Sequence, residues 1–274
     1  MIQTLNVTVL VNNCVQTRGL LAEHGWSLLI EADEHVFLWD AGQGLTIEHN
    51  AAALGIDLSR IEAVLISHGH YDHAGGLQAV LKHAPPAAVY MHPVALERKF
   101  KKLPGKERFR EIGIPPAVRE TLEADCGRLV LSKEPQEIIS GFWMSGEVPR
   151  HHGPQLARDF YSDSACTILD SVPDDQTLIV ETPRGIVLFT ACPHAGIVNI
   201  MHAAARVTGN EKIYAIFGGF FTGGAPAPVL EEMIRRDVKL FAPAHCFASA
   251  ADAELRLNFT GEFLEVYVGS RFSL

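Results

Sequence analysis

Apolar runs broken by turn residues divide the chain into short segments. LNVTVLV (5–11), SLLIEA (27–32) and HVFLWDAG (35–42) are bounded by Asn, Gly and Asp residues and predict a meander of strands. IEAVLIS (61–67) is almost wholly apolar, as suits a strand covered on both faces. GGLQAVLKHA then places Leu77, Val80 and Leu81 at helical spacing and stops before Pro85-Pro86. The second half repeats the style. Strands are predicted at TLIVET, GIVLFTAC, IYAIFGG, KLFAPA and FLEVYVG, and helices at VNIMHAAARV, APVLEEMIRRD and AADAELRL. Residues 93–127 read as a helical and irregular insertion. No internal repeat or low-complexity linker divides the chain, so 1–274 is expected to form one layered α+β domain.

The chemistry is concentrated where IEAVLIS ends. SHGHYDHAGGL (67–77) carries His68, His70, Asp72 and His73 within six positions. In extended chain, residues i and i+2 point to the same side, so His68 and His70 can reach one ion. Asp72 and His73 sit at the turn into the following helix and can reach a second. A lone histidine is usually a packing or surface residue; four donors after a buried strand are hard to explain that way. Two catalytic ions with open positions need about three protein ligands apiece. His194 follows GIVLFTAC and His245 follows KLFAPA, so both stand just past an apolar strand, as Asp40 does. His83 and His202 fall on predicted helices and His35 opens a strand. Cys192 and Cys246 beside these histidines read as small buried residues rather than soft extra ligands. Gly75-Gly76 would let the helix start approach the histidine loop closely.

The stretches FLWDAG, LISHGHYDHAGGL, GIVLFTACPHAG and PAHC resemble the metallo-β-lactamase superfamily. With AEHGWSLLIEA, SGEVPR and residues 174–200, they resemble the branch of the dihydropterin–ribofuranosylaminobenzene phosphate synthases over nearly the whole chain. The resemblance implies a four-layer αβ/βα sandwich. It implies a first metal on His68, His70 and His194, a second on Asp72, His73 and His245, and Asp40 as an orienting residue behind them. Asp72, His194 and His245 would also serve the reaction. Glu147 and Arg150 match the branch's G-E-[IV]-P-R stretch and are candidates for substrate contact. Two departures stand out. The superfamily's bridging aspartate, roughly T-G-D, is missing from FTAC, and Phe221 stands where the branch commonly has histidine.

Composition narrows the function. The net charge is −9, which argues against a general nucleic-acid binder. No apolar run reaches membrane-spanning length. The start, MIQTLNVTVLVNN, reads as a strand rather than a signal peptide, and five cysteines without C-x-x-C suit a reduced, cytoplasmic protein. Seven basic residues lie between 98 and 110, which form either a solvated face or an attractor for an anionic substrate. His and carboxylate donors suit zinc first, then manganese or iron. The expectation is a dinuclear metal-dependent hydrolase, with a hydroxide nucleophile, acting on a small anionic substrate such as a phosphodiester. The alternative is a pterin-pathway transferase. Glu147, Arg150, His151 and His152 are candidates for a general acid, and a homo-oligomer is left open.

Overall fold

The computed structural model describes residues 1–103, 109–153, 159–220, 224–247 and 250–274, the last stretch with side chains from 253 onward. β1 (Leu5–Val11), β2 (Ser27–Ala32) and β3 (His35–Trp39) form the expected antiparallel meander. β4 (Ala63–Leu65) and β5 (Ala88–Met91) extend it in parallel, with α1 (Ile47–Ala53), α2 (Tyr71–Ala74) and α3 (Leu77–His83) in the crossovers. A hairpin of β6 (Phe100–Lys102) and β7 (Phe109–Glu111) follows, then α4 (Pro116–Ala124) and β8 (Leu129–Leu131).

The remaining strands are β9 (Gln136–Ile139), β10 (Phe142–Met144), β11 (Phe160–Tyr161), β12 (Leu178–Thr182) and β13 (Gly185–Thr190). After them come α5 (Ile197–Thr208), β14 (Ile213–Gly219), α6 (Pro226–Arg235), β15 (Leu240–Ala244), α7 (Ala250–Asn258), β16 (Glu262–Phe263) and β17 (Arg271–Ser273). They assemble into two seven-stranded sheets, ordered β17-β1-β2-β3-β4-β5-β8 and β16-β15-β14-β13-β12-β10-β9, and a small sheet β11-β6-β7.

Period-two alternation sorts side chains between layers. In β13, Val187 and Phe189 point between the sheets, whereas Ile186 and Leu188 point outward under α5. The central layer joins Val7, Ile30, Phe37 and Trp39 of one sheet to Phe142, Val180 and Phe217 of the other; the Phe37 and Phe142 rings lie 4.6 Å apart. Each such side chain contributes about 1.5–3 kcal/mol through burial. Ile47, Leu77, Val80 and Leu122 cover the outer face of the first sheet, and Ile197, Ile200, Met201 and Met233 that of the second. Helix, sheet, sheet, helix: this is the four-layer αβ/βα sandwich.

Two expectations are corrected. Among the described residues of 93–127 are the β6–β7 strand pair and one α-helix, because Phe100 is buried against Phe109 (ring centroids 5.5 Å) and anchors three-residue strands too short to show alternation. FLEVYVG is not one strand: pairing stops at Phe263, and β17 crosses to the edge of the first sheet beside β1.

Candidate metal centre

Parallel pairing aligns the C-terminal ends of β3 and β4 in one sheet and of β13, β14 and β15 in the other. The chain leaves those ends at Asp40, at 67–73, at 191–194 and at His245. Asp40 and His245 both adopt left-handed backbone, φ 56°, a conformation that non-glycine residues rarely hold outside tight, over-determined sites. Gly69 stands between His68 and His70 because a Cβ there would lie 2.1 Å from the Ala95 carbonyl oxygen. Gly76 is equally constrained, 2.1 Å from Ala41 O, so the expected close approach of the helix start is present.

All six predicted donors converge. The ring centroids of His68, His70 and His194 lie 4.5–5.2 Å apart. His73 and His245 are 4.9 Å apart, and Asp72 Oδ2 is 3.7 Å from His73 Nε2 and 3.6 Å from His245 Nε2. His68 joins the two groups through its 4.2 Å approach to His73. Among the described residues, Nε2 of His70, His73 and His245 is buried with no hydrogen-bond partner. Such atoms cost about 1–3 kcal/mol each when left unsatisfied, so the donors fit a metal that would take up their lone pairs. Cys192 is buried, as expected, and also lies near the donors: its Sγ is within 4.8 Å of ligand nitrogens of His68 and His194, and likewise of His73 and His245.

Behind the donors stands a set of orienting residues. Asp40 Oδ1 accepts the Ser67 N–H (2.8 Å), and Oδ2 accepts the Ser67 hydroxyl (2.8 Å) and His73 Nδ1 (2.8 Å). His73 therefore presents Nε2 inward. Ser67 Oγ also meets His68 Nδ1 at 2.9 Å. Asn13 accepts from His245 Nδ1 (3.1 Å) and donates to the His245 carbonyl (2.9 Å). Asp174 accepts the Gly69 N–H (2.8 Å) and the Lys99 ammonium (2.7 Å), and Asp175 accepts the Ala195 N–H (2.6 Å). His24, more than half exposed, stacks on His245 at 5.2 Å and places Nε2 3.1 Å from Asp72 Oδ2. Sequence reasoning missed Asn13, His24, Ser67, Lys99, Asp174 and Asp175; two adjacent carboxylates ahead of the buried strand TLIVET were the usable signal. Replacing Asp40 with asparagine is expected to weaken metal binding about 10–100-fold with the fold intact, measurable by competition with a chromogenic chelator.

The other predicted residues do not join the donors. Glu147 pairs with His92 Nε2 (3.0 Å) and approaches Lys133 (3.8 Å). Arg150 donates to the Ser171 and Val172 carbonyls, and its charge helps lower the His194 pKa. The His151 and His152 N–H groups are held by Asn199, and the His152 ring stacks on His202 at 4.4 Å. Phe221 lies outside the described residues.

Burial pushes His194 and His245 down to about 3, helped by the charge on His73. Burial alone would lower His73 too, but the Asp72 and Asp40 carboxylates outweigh it and raise it to about 9. Asp72, despite burial, is held below the usual carboxylate range by His73, His24 and His245. His194 and His245 bind fewer protons folded than unfolded between about pH 3 and their ordinary 6.5. Their contribution to metal-free stability is thus present above pH 6.5 and is lost as pH falls towards 3. The slope is at most about 1.4 kcal/mol per pH unit per histidine. His73 works oppositely: its contribution is complete below pH 6.5 and fades as pH rises through 9. Urea unfolding of the chelator-treated protein at pH 7.0 and 5.5 checks this; equal stabilities would contradict it.

Residues 21–169 match the sequence profile of the Metallo-beta-lactamase superfamily, more than half of the chain. The chain belongs to that superfamily, whose members are mostly metal-dependent hydrolases that bind divalent metals. Within it, the chain is 25% identical over 264 residues to the 7,8-dihydropterin-6-methyl-4-(beta-D-ribofuranosyl)-aminobenzene-5'-phosphate synthase of Methanocaldococcus jannaschii, covering 90% of this chain and 89% of that protein. It is 30% identical to an uncharacterized protein of the same organism, covering 96% and 98% of the two chains. A crystal structure described as a metal-dependent hydrolase of the beta-lactamase superfamily, Tm1679, superposes with a TM-score of 0.80 at 27% identity and 98% coverage of both chains. Among the described residues, no helix is long and apolar enough to cross a membrane.

Proposed function

We propose that the protein is a hydrolase with a dinuclear metal centre that cleaves small phosphodiesters or related phosphorylated compounds, zinc being the first choice of metal. The observation that carries this reading is the convergence of six donors from separate strand ends, three of them with buried, unpartnered Nε2 atoms. His68, His70 and His194 would hold one ion, and Asp72, His73 and His245 the other. Cys192 Sγ, near both groups, supports a shared thiolate where relatives place a carboxylate. Divalent metals bound there would bring the pKa of a water towards neutrality and stabilise charge on the attacked phosphoryl oxygen.

The chain's own residues prepare that chemistry. Asp40 and Asn13 fix the tautomers and directions of His73 and His245. The Phe160 ring, 5.1 Å from His70 and 5.3 Å from His194, covers the first group and limits water there. His24 orients Asp72 from the solvent side.

The test is hydrolysis of bis(p-nitrophenyl) phosphate and a panel of cyclic nucleotides by zinc- or manganese-loaded protein. Turnover that a chelator abolishes and metal restores is the expected result; no cleavage of any compound would sink the phosphodiesterase reading. The likeness to the M. jannaschii synthase favours a second reading, condensation in a pterin pathway. Product from a pterin diphosphate and an aminobenzene acceptor, with no hydrolysis in the acceptor's absence, would decide for it.

A further inference from the structure

The structure sorts the basic residues between 98 and 110. Lys99 is buried, its ammonium 3.1 Å from Asp170 and 2.7 Å from Asp174. Arg98 forks onto both oxygens of Glu111 (2.9 and 2.8 Å). Lys106 and Arg108 lie outside the described residues. Lys101, Lys102 and Arg110 remain.

Register separates these three. Phe160 pairs with Lys101, and Lys101 with Arg110, in the antiparallel sheet β11-β6-β7. Directly opposed residues share a face, so Phe160, Lys101 and Arg110 form one row, and Lys102 belongs to the other face. The row is turned to the metal centre. Phe160 packs on His70 and His194, and Lys101 Nζ sits 5.4 Å from the Phe160 ring centre. The Arg110 guanidinium lies 4.8 Å over Tyr71, the residue before Asp72. The Tyr71 N–H donates to Ile112 O (2.9 Å), which ties the hairpin to α2.

Like charges directly opposed across two strands are destabilising. Among the described residues, neither Lys101 nor Arg110 has a carboxylate partner, although the protein has a net charge of −9. Cation–π contact with Phe160 and Tyr71 holds the two cations in place; Arg110 also hydrogen-bonds the Tyr71 side chain, which leaves the rest of its five N–H donors and the Lys101 ammonium to face a ligand. A planar guanidinium fork beside a point-charge ammonium is the arrangement that receives a phosphate dianion.

We infer that Lys101 and Arg110 form an anion clamp for a second phosphate of the substrate, remote from the bond cleaved at the metals. This rests on the hydrolase reading, so the test has one arm that needs turnover and one that does not. In the first, the substrates are thymidine 5′-(p-nitrophenyl phosphate) and the same compound bearing a 3′-phosphate. Lys101→Gln and Arg110→Gln should each raise KM for the 3′-phosphorylated compound about tenfold or more. They should leave kcat and the unphosphorylated compound within about twofold, and Lys102→Gln should change neither. In the second, pyrophosphate is titrated calorimetrically into metal-free protein. The two variants should again bind about tenfold or more weakly, and Lys102→Gln as the unaltered protein.

Pyrophosphate binding that depends on Lys101 and Arg110, without turnover of any phosphodiester, would leave the clamp standing and remove the hydrolase reading. Loss of pyrophosphate binding with unmoved KM for both substrates would make this a site for a free anion and overturn the assignment to substrate. Variants that match the unaltered protein in both arms would overturn the clamp itself.

Discussion

Replacing His194 with alanine is expected to remove one metal ion per chain and to lower turnover on the order of 10³-fold. His194 reaches the cluster from the second sheet, and its ring lies 5.0 Å from His68 and 5.2 Å from His70, both supplied by the first sheet. It therefore completes a group whose other histidines come from one loop. Without it, His68 keeps Cys192 as a neighbour, but His68 and His70 lose the third imidazole, and an ion bound there would lose its fixed position. A metal supplies several kcal/mol of charge stabilisation, and each 1.36 kcal/mol is tenfold in rate, which sets the size of the loss. Metal analysis by mass spectrometry after dialysis, together with the phosphodiester assay, reads both quantities. Circular dichroism checks that the variant is folded. Two ions retained at full occupancy would rule out the assignment of His194.

Lys99→Met should be the most destabilising single change outside the histidine cluster. Burial would lower the pKa of this lysine, but Asp174 and Asp170 outweigh it and keep the ammonium charged. Its side chain is 1% exposed, and those of its two partners are 6% and 0% exposed. Methionine fills a similar volume but strands two buried carboxylates, a change that costs about 3–5 kcal/mol. In a chain of this size the melting temperature should fall on the order of 10 °C. Asp174 also accepts the Gly69 N–H between His68 and His70, so weaker metal retention should accompany the lower stability. Adding Asp170→Asn and Asp174→Asn to Lys99→Met should recover part of the loss, because amides carry no charge to strand. A melting temperature within about 2 °C of the unaltered protein would show that the triad does not hold the loop.

The convergence of these side chains was legible in the sequence because they stand at or shortly past the ends of apolar runs: IEAVLIS before the 68–73 cluster, GIVLFTAC before His194, KLFAPA before His245. Strand ends can be read from where such runs stop, and parallel pairing gathers those ends at one edge, so the 176 residues between His68 and His245 did not hide their meeting. What supports the donors left no such trace. Asn13 and Asp174 act through hydrogen bonds from loops, and a polar residue in a loop looks the same whether it faces water or a metal ligand. Lys99 was grouped with exposed neighbours because one buried cation in a basic run has no local mark. The strands FKK and FRE are three residues long, too short for period-two alternation to show. Cys192 is buried, as its sequence context suggests, but its closeness to both histidine groups comes from the meeting of two sheets and has no local mark.

The central claim is a pair of metals held by His68, His70 and His194 and by Asp72, His73 and His245, with Cys192 between them. Anomalous scattering from crystals of zinc- or manganese-loaded protein, collected on both sides of the metal absorption edge, addresses it directly. Two peaks are expected, one among the first three residues and one among the second three, with Cys192 Sγ near both. A single peak, or peaks away from these side chains, would contradict it.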